Sequence, residues 1–358
     1  MSKPLYRQIA DEIRARVLAG QFSDGKLPSE GMLVRRYGTT HVTVAKAMQV
    51  LEGEGLVIRR PGSGTFVKPS VEGAPVYVST LIAGLGDTEF FGPISAQIAE
   101  SCRTYGLNLV WGVKEDFNAF APGASIAHLV EHYRRQNIRG VFFAPDAGDQ
   151  KTSARNREVA SALCNAGIQV VLIDRDITDF PKRGDYDLVG IDNLDAGHRQ
   201  ASHLIEKGAR RIVYAARSGS AWTLCGRIAG VRAACEDAGV PFGPEHVFAT
   251  DDWSVKYLRS MLRKARPDGI VVFNDPLAAK ILSGLAELKV RVPERVKVVG
   301  LDDMSAARYL APPLTTLRQP VKSIGEEAAR LMSLRLKHDP HPPRRIFFDV
   351  ELIERKST

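Results

Sequence analysis

The sequence predicts an α/β fold in two parts: a helical head closed by a short β-hairpin, then a larger two-lobed domain on parallel sheets. Helical periodicity punctuated by glycine fills the first seventy residues. A Pro-, Gly- and Ser-bearing stretch, Pro69-Ser-Val-Glu-Gly-Ala-Pro75, reads as a linker. Beyond it, short apolar runs alternate with helical patterns, the mark of parallel α/β layers. The length of 358 residues fits two or three domains, at roughly 100–200 residues each. These signals divide the chain into a head over 1–68, a linker over 69–75 and a second domain over 76–358.

In the head, Leu5, Ile9, Ile13 and Val17 recur every fourth residue, one face of an amphipathic helix that Gly20 ends. Ser29 can cap a second, short helix carrying Leu33, Val34 and Tyr37, which Gly38 breaks. Thr39 or Thr40 can cap a third, with Val44, Ala47, Met48 and Leu51 at helical spacing. Two helices joined by a tight glycine turn make a helix-turn-helix. The run Leu56-Val-Ile-Arg-Arg60, the loop Pro61-Gly-Ser-Gly64 and Thr65-Phe-Val67 then read as a hairpin, the wing of a winged helix-turn-helix.

In the second domain the patterns predict strands over 76–83, 107–111, 141–144, 170–173, 188–191, 212–215, 247–249, 270–273 and 296–300. Helices are predicted near 94–105, 125–136, 154–166, 194–207, 227–238, 254–264 and 276–289. Nine strands in some 285 residues suit two lobes better than one.

Composition limits the function. Apolar residues make up 44% and charged ones 25%, ordinary for a globular chain. The net charge of +8 is uneven: the first seventy residues hold eleven basic and six acidic side chains, leaving only +3 for the rest. A basic head points to nucleic acid. Cys102, Cys164, Cys225 and Cys235 form no C-x-x-C pair, which fits a reducing cytoplasm and offers no zinc knuckle. The charged start and the lack of any run of about 20 apolar residues predict a soluble, cytoplasmic protein without a signal peptide or membrane span.

The head resembles the GntR-type winged-helix domain. The resemblance rests on Leu5-Tyr-Arg-Gln-Ile9, Leu27-Pro-Ser-Glu30, Thr43-Val44, Leu51-Glu-Gly-Glu-Gly-Leu56 and Gly62-x-Gly64-Thr-Phe-Val67, in the family's order and spacing. It implies that the helix near 40–51 enters the major groove of double-stranded DNA and that the wing meets the minor groove or backbone. Three positions where the family commonly carries DNA-touching arginines hold Gly31, His41 and Ala45. Arginine on guanine is the commonest specific contact, so a different operator or different contact residues are implied. The candidates are Thr40, His41, Thr43 and Lys46 on the recognition helix and Arg59, Arg60 and Ser63 on the wing, with Arg35 and Arg36 as phosphate contacts.

The rest of the chain resembles the LacI-type regulatory domain, itself similar to periplasmic sugar-binding proteins. The residues that carry this are Val170-Val-Leu-Ile-Asp-Arg175, Gly190-Ile-Asp-Asn193, Gly226-Arg-Ile-Ala-Gly230, Phe273-Asn-Asp275, Val298-Val-Gly-Leu-Asp-Asp303 and Pro313-Leu-Thr-Thr316 with Gln319-Pro320. The LacI hinge helix is missing and a GntR-type head replaces the usual one, a combination similar to the arabinose-repressor type of GntR regulator. The resemblance implies ligand contacts at strand ends facing the interlobe gap: Phe90, Phe91, Asp174, Arg175, Arg227, Trp253, Asn274, Asp275 and Asp302. Carboxylates beside planar guanidinium forks, with an aromatic face, suit a polyhydroxylated ligand.

Several motifs point elsewhere. His128-Leu-Val-Glu-His132 has the form of an H-x-x-E-H zinc site, but Ile126, Leu129, Val130 and Tyr133 claim the buried stripe and no third ligand is identifiable, so no metal is expected. Gly84-Leu-Gly86 puts Glu89 where a dinucleotide loop needs its third glycine, and Ser218-Gly-Ser220 lacks the G-x-S-x-G frame. No catalytic residue and no cofactor are expected. The reading is a homodimeric, sugar-responsive repressor of carbohydrate-utilisation genes on a palindromic operator. A nucleoside or sugar-acid effector, or an activator role, remains the alternative. A fused pyridoxal-phosphate enzyme would need a longer segment of different pattern, and a plain sensor would lack DNA binding. The Asn274-Asp275 motif and the length exclude the shorter UTRA-type domain.

Overall fold

The structure, a computed structural model, describes all residues except 1–3, 19–20, 23–24, 61–62, 68–74, 83–90, 113–124, 149, 179–181, 219–221, 338 and 340. The chain divides into two compact units, Met1–Pro75 and Val76–Thr358.

The first unit holds α1 (Leu5–Leu18), α2 (Glu30–Tyr37), α3 (His41–Gly53), β1 (Val57–Arg60) and β2 (Gly64–Val67). Local chemistry sets each boundary. The Ser29 hydroxyl accepts from the Met32 N–H, and Gly38 takes the left-handed conformation (φ 57°) that stops α2. Thr40 then caps α3 by accepting from the Thr43 N–H. Ile9, Ile13, Leu33, Val44, Met48, Leu51 and Val57 form the core on which the three helices and the hairpin close. Leu5, expected on the buried stripe of α1, is exposed. The antiparallel pair β1–β2 gains a third edge, because the Leu27 N–H bonds the Thr65 carbonyl and the Val67 N–H bonds the Gly25 carbonyl.

The second unit contains two six-stranded sheets. The first lobe's sheet runs β3 (Val76–Ile82), β4 (Leu107–Val110), β5 (Ile138–Ala144), β6 (Gln169–Ile173), β7 (Asp187–Ile191) and β13 (Arg345–Phe348), all pairs parallel. Its spatial order is β13-β7-β6-β5-β3-β4. Its helices are α4 (Phe91–Thr104), α5 (Ile126–Arg135), α6 (Gln150–Asn165) and, from far along the chain, α11 (Val321–Leu336). The second lobe has β8 (Ile212–Ala216), β9 (Val247–Ala249), β10 (Gly269–Val272), β11 (Lys297–Asp302), β12 (Thr315–Arg318) and the antiparallel edge β14 (Glu351–Ile353). Its helices are α7 (Asn193–Glu206), α8 (Trp222–Asp237), α9 (Val255–Ala265) and α10 (Asp275–Glu287). The chain crosses between lobes three times: after β7, after β12, and between β13 and β14.

The elements β12, α11, β13 and β14 were not among the strands and helices predicted from sequence. In the second lobe α7 and α8 meet at backbone distance. A Cβ on Gly197 would lie 2.0 Å from the Arg227 carbonyl oxygen, and one on Gly230 would lie 1.9 Å from that of Leu194. Only glycine permits this approach.

Candidate functional site

The recognition helix α3 turns Val44, Ala47, Met48 and Leu51 inward. His41, Val42, Lys46 and Gln49 are exposed on its outer side. Two sequence candidates are engaged in the cap: the hydroxyls of Thr40 and Thr43 lie 3.0 Å apart. Lys46 places its ammonium 4.5 Å from the Tyr6 ring centroid. Arg35 is exposed, and Arg36 pairs with Glu12 at 3.0 Å. On the wing, Arg59 pairs with Glu30, Arg60 stacks over the Phe66 ring at 5.2 Å, and Ser63 is exposed at the turn. The turn residues Pro61 and Gly62 lie outside the described residues.

The second candidate site gathers where strand ends of the two lobes meet. Asp174 follows β6 in the left-handed region (φ 70°), its N–H bonded to the Val189 carbonyl at 2.8 Å. The Arg175 Nε donates to the Asp174 carboxylate at 2.8 Å. From the other lobe, α8 delivers Arg227, only 5% exposed. Its Nη1 donates to the Phe273 carbonyl at 2.6 Å and its guanidinium lies 4.6 Å from the Phe273 ring centroid. The Arg227 Nε and the Tyr214 hydroxyl are buried without a hydrogen-bond partner. Buried polar atoms are almost always bonded to protein or ordered water, so the Arg227 Nε and the Tyr214 hydroxyl are open to a water or a ligand.

Asp302 ends β11 at φ 116° and accepts from the Gln319 amide at 2.8 Å. Burial pushes its carboxyl well above the ordinary carboxylate range, and the charge of Asp275 pushes it further. Arg227 and the Gln319 bond pull it down, and Asp174 adds to the upward push. Carboxylates of both lobes and one guanidinium therefore share a single field. Two cavities flank this cluster. One of about 360 Å³ is lined by Asp174, Arg175, Asn193, Thr223 and Gly226 among others. The other, about 540 Å³, lies between Gly92 and Pro93 of the first lobe and Asp302, Met304 and Gln319.

The other sequence candidates are placed differently. Asn274 caps α10, its side-chain oxygen accepting from the Leu277 N–H at 3.1 Å. Asp275 is 3% exposed, and both its oxygens are bonded within the lobe: to the Thr316 hydroxyl at 2.6 Å and the Met304 N–H at 2.9 Å. Phe91 and Trp253, expected to face a ligand, are largely buried, at 8% and 4% exposure. Phe91 sits in the first lobe's core, and the Trp253 indole N–H donates to the Ala216 carbonyl, so its one polar atom is satisfied inside. The aromatic ring beside Arg227 is Phe273, a residue the sequence reading used only as part of a motif. Phe90 and the Gly84–Gly86 loop lie outside the described residues. His128 is exposed and His132 half-buried, and no cluster of metal-ligating side chains occurs among the described residues.

The comparisons with known proteins fit this division. Residues 5–67 match the profile of bacterial regulatory proteins of the gntR family, and 201–358 match a periplasmic binding protein-like domain. The arabinose metabolism transcriptional repressor of Halalkalibacterium halodurans is 26% identical over 99% of this chain and 96% of that protein. The chain belongs to the GntR-type regulators with a periplasmic-binding-protein-like domain. The regulator is also 32% identical to the transcriptional repressor PurR of Aliivibrio salmonicida, over 68% of this chain and 79% of that one. Among solved structures, a transcriptional regulator CelR–cellobiose complex shares its fold at a TM-score of 0.69 and 23% identity, covering 93% of this chain and 100% of the other. The CcpA regulator of Lactococcus lactis does so at 0.66 and 21%, covering 80% and 100%.

Proposed function

We propose that the protein is a cytoplasmic, homodimeric repressor that binds a palindromic operator and is released when a neutral, sugar-like effector enters the gap between its lobes. The observation that carries the effector reading is Arg227, a buried guanidinium with an unpartnered Nε, facing carboxylates contributed by both lobes. A polyol supplies hydroxyls that accept from Arg227 and donate to Asp302 and Asp174. The ring of Phe273 offers an apolar face. A sugar acid would bring its own negative charge toward the Asp174 carboxylate, which disfavours it. The names of the relatives agree: one represses arabinose metabolism, and one solved neighbour is complexed with cellobiose.

The residue roles divide accordingly. Asp302, Arg227 and the Asp174–Arg175 pair contact the effector, and Asn274 and Asp275 hold the loop beside them. The protein acts by binding, with no chemical step. No described helix is long and apolar enough to cross a membrane. The test is a thermal-shift screen of neutral sugars, sugar acids and nucleosides, followed by an operator gel shift with each hit. Release by a neutral sugar, needing more sugar in Asp302→Asn, is the expected result. Stabilisation by a sugar acid or nucleoside alone would refute the charge argument.

A further inference from the structure

The outer face of the recognition helix has an unusual composition for a DNA reader. Val42, Ala45, Lys46 and Gln49 stand at i, i+3, i+4 and i+7, one stripe, directly opposite the buried Val44, Ala47, Met48 and Leu51. Val42 is 78% exposed, more than any other large aliphatic side chain singled out by its exposure. An isopropyl group held in water at the start of a recognition helix serves no packing purpose. The stripe contains no arginine and no acid. Its one charge is Lys46, and Arg35 and Arg60 add charge from its flanks, which suits a polyanionic duplex.

We infer that this face reads A·T base pairs in the major groove, with Val42 and Ala45 against thymine methyl groups and Gln49 bonded to an adenine. This rests on the DNA-binding reading above and goes further by naming the base edges. The chemistry follows from the groove. Thymine alone presents a methyl group there, which apolar side chains contact, and adenine offers the N7 acceptor and N6 donor that a glutamine amide matches. No arginine stands along the stripe to contact guanine, and the Lys46 ammonium is held over the Tyr6 ring at 4.5 Å. Gly31 at the start of α2 also lacks a side chain to reach a base.

The experiment uses the full-length protein. Operator sites are selected from a random duplex pool, and each thymine of the best site is then replaced singly by uracil, which removes only the methyl. Wild type should lose about fourfold in affinity at one or two positions per half-site, the worth of one buried methyl group. Val42→Ala should bind the thymine operator more weakly and become insensitive to uracil at one of those positions. Gln49→Ala should relax the adenine preference elsewhere in the half-site. Since both side chains are exposed, folding is checked by circular dichroism alone. Selected half-sites dominated by G·C, or a uracil effect unchanged in Val42→Ala, would overturn the inference while leaving DNA binding intact. Selection of no sequence at all would overturn the DNA-binding reading itself.

Discussion

Asp275→Asn should make the protein more stable at pH 8 and remove much of its loss of stability between pH 5 and pH 8. The carboxyl is almost fully buried, and burial raises its pKa from 3.8 to about 7 despite the hydrogen bonds from Thr316 and Met304 that pull it down. The fold thus favours the protonated acid. In the unfolded chain the group ionises near its ordinary value. Stability from this residue is fully present below that value and is lost as the pH rises toward 7, where the folded group also ionises. A shift of about three units corresponds to about 4 kcal/mol in total, of which roughly 2–3 kcal/mol falls between pH 5 and pH 8. The asparagine amide can accept from the Met304 N–H and donate to the Thr316 oxygen without carrying a charge. Urea unfolding followed by far-ultraviolet circular dichroism, at both pH values, measures the difference. Asp302 is shifted in the same direction, so the variant should retain a smaller slope of the same sign. Equal slopes in wild type and variant, or a variant less stable than wild type at pH 8, would refute the reasoning.

Other outcomes follow from the same structure. Asp302→Asn should leave operator affinity unchanged and weaken the effector about 2- to 10-fold, the worth of a hydrogen bond between uncharged groups, as read by calorimetry. Gly230→Ala should destabilise the second unit by about 3 kcal/mol, because the added methyl meets backbone and forces α7 and α8 apart. Gly53→Ala, where a Cβ meets nothing within 4 Å, should be neutral or slightly stabilising in the same melt. Lys46→Ala should weaken operator binding at all sequences alike and lower the salt slope by about one unit, as a lost phosphate contact does; an unchanged slope in a salt titration would remove Lys46 from the DNA contacts.

Much of this architecture is legible in the sequence, and the exceptions have physical causes. The caps at Ser29 and Thr40 and the glycine stop at Gly38 are local chemistry, so the helices of the head are readable one by one. The buried parallel strands are continuous apolar runs, such as Val170–Ile173, and announce themselves. β13 and β14 are four and three residues long at the edges of their sheets, too short for a periodic signal. In α11 the buried face includes Gly325, Ala328 and Ala329, small residues that let the helix lie close but blunt its hydrophobic stripe. For the site, Asp174, Arg175, Arg227 and Asp302 come from the resemblance to the LacI-type domain, and the structure puts Asp302 within electrostatic reach of Arg227 and Asp174. Sequence could not tell Asp275 from Asp302, since both are acids following apolar strands. Asp275 finds two internal donors, Thr316 and Met304, 41 and 29 residues away, and Asp302 accepts from Gln319. Trp253 and Phe91 are ambiguous in sequence for a related reason: an aromatic at a strand or helix end can face a ligand or the core, and the Ala216 carbonyl fixes where the indole N–H points. Val42 carried no motif, and its exposure is a property of the folded helix.

The two glycine contacts in the second lobe bear on how effector binding can reach the rest of the molecule. Arg227 is both a proposed effector contact and the residue whose carbonyl Gly197 admits at backbone distance. Gly197 lies on α7, which starts at Asn193, immediately after the chain has crossed from the first lobe. A close-packed contact of this kind has no slack to absorb a displacement. When an effector draws the Arg227 side chain, the backbone of α8 can move only if α7 moves with it, and α7 is tied through Asp192 to β7 of the first lobe. The other proposed contact, Asp174, has its backbone against Gly190 of that same strand. Both proposed contacts thus converge on the β7–α7 crossing from opposite sides. An effector binding only one lobe would act on that crossing from one side alone. One that spans Asp174 and Arg227 gains affinity only in the arrangement that brings them together, and this difference between states is what a coupling free energy of about 1–3 kcal/mol requires.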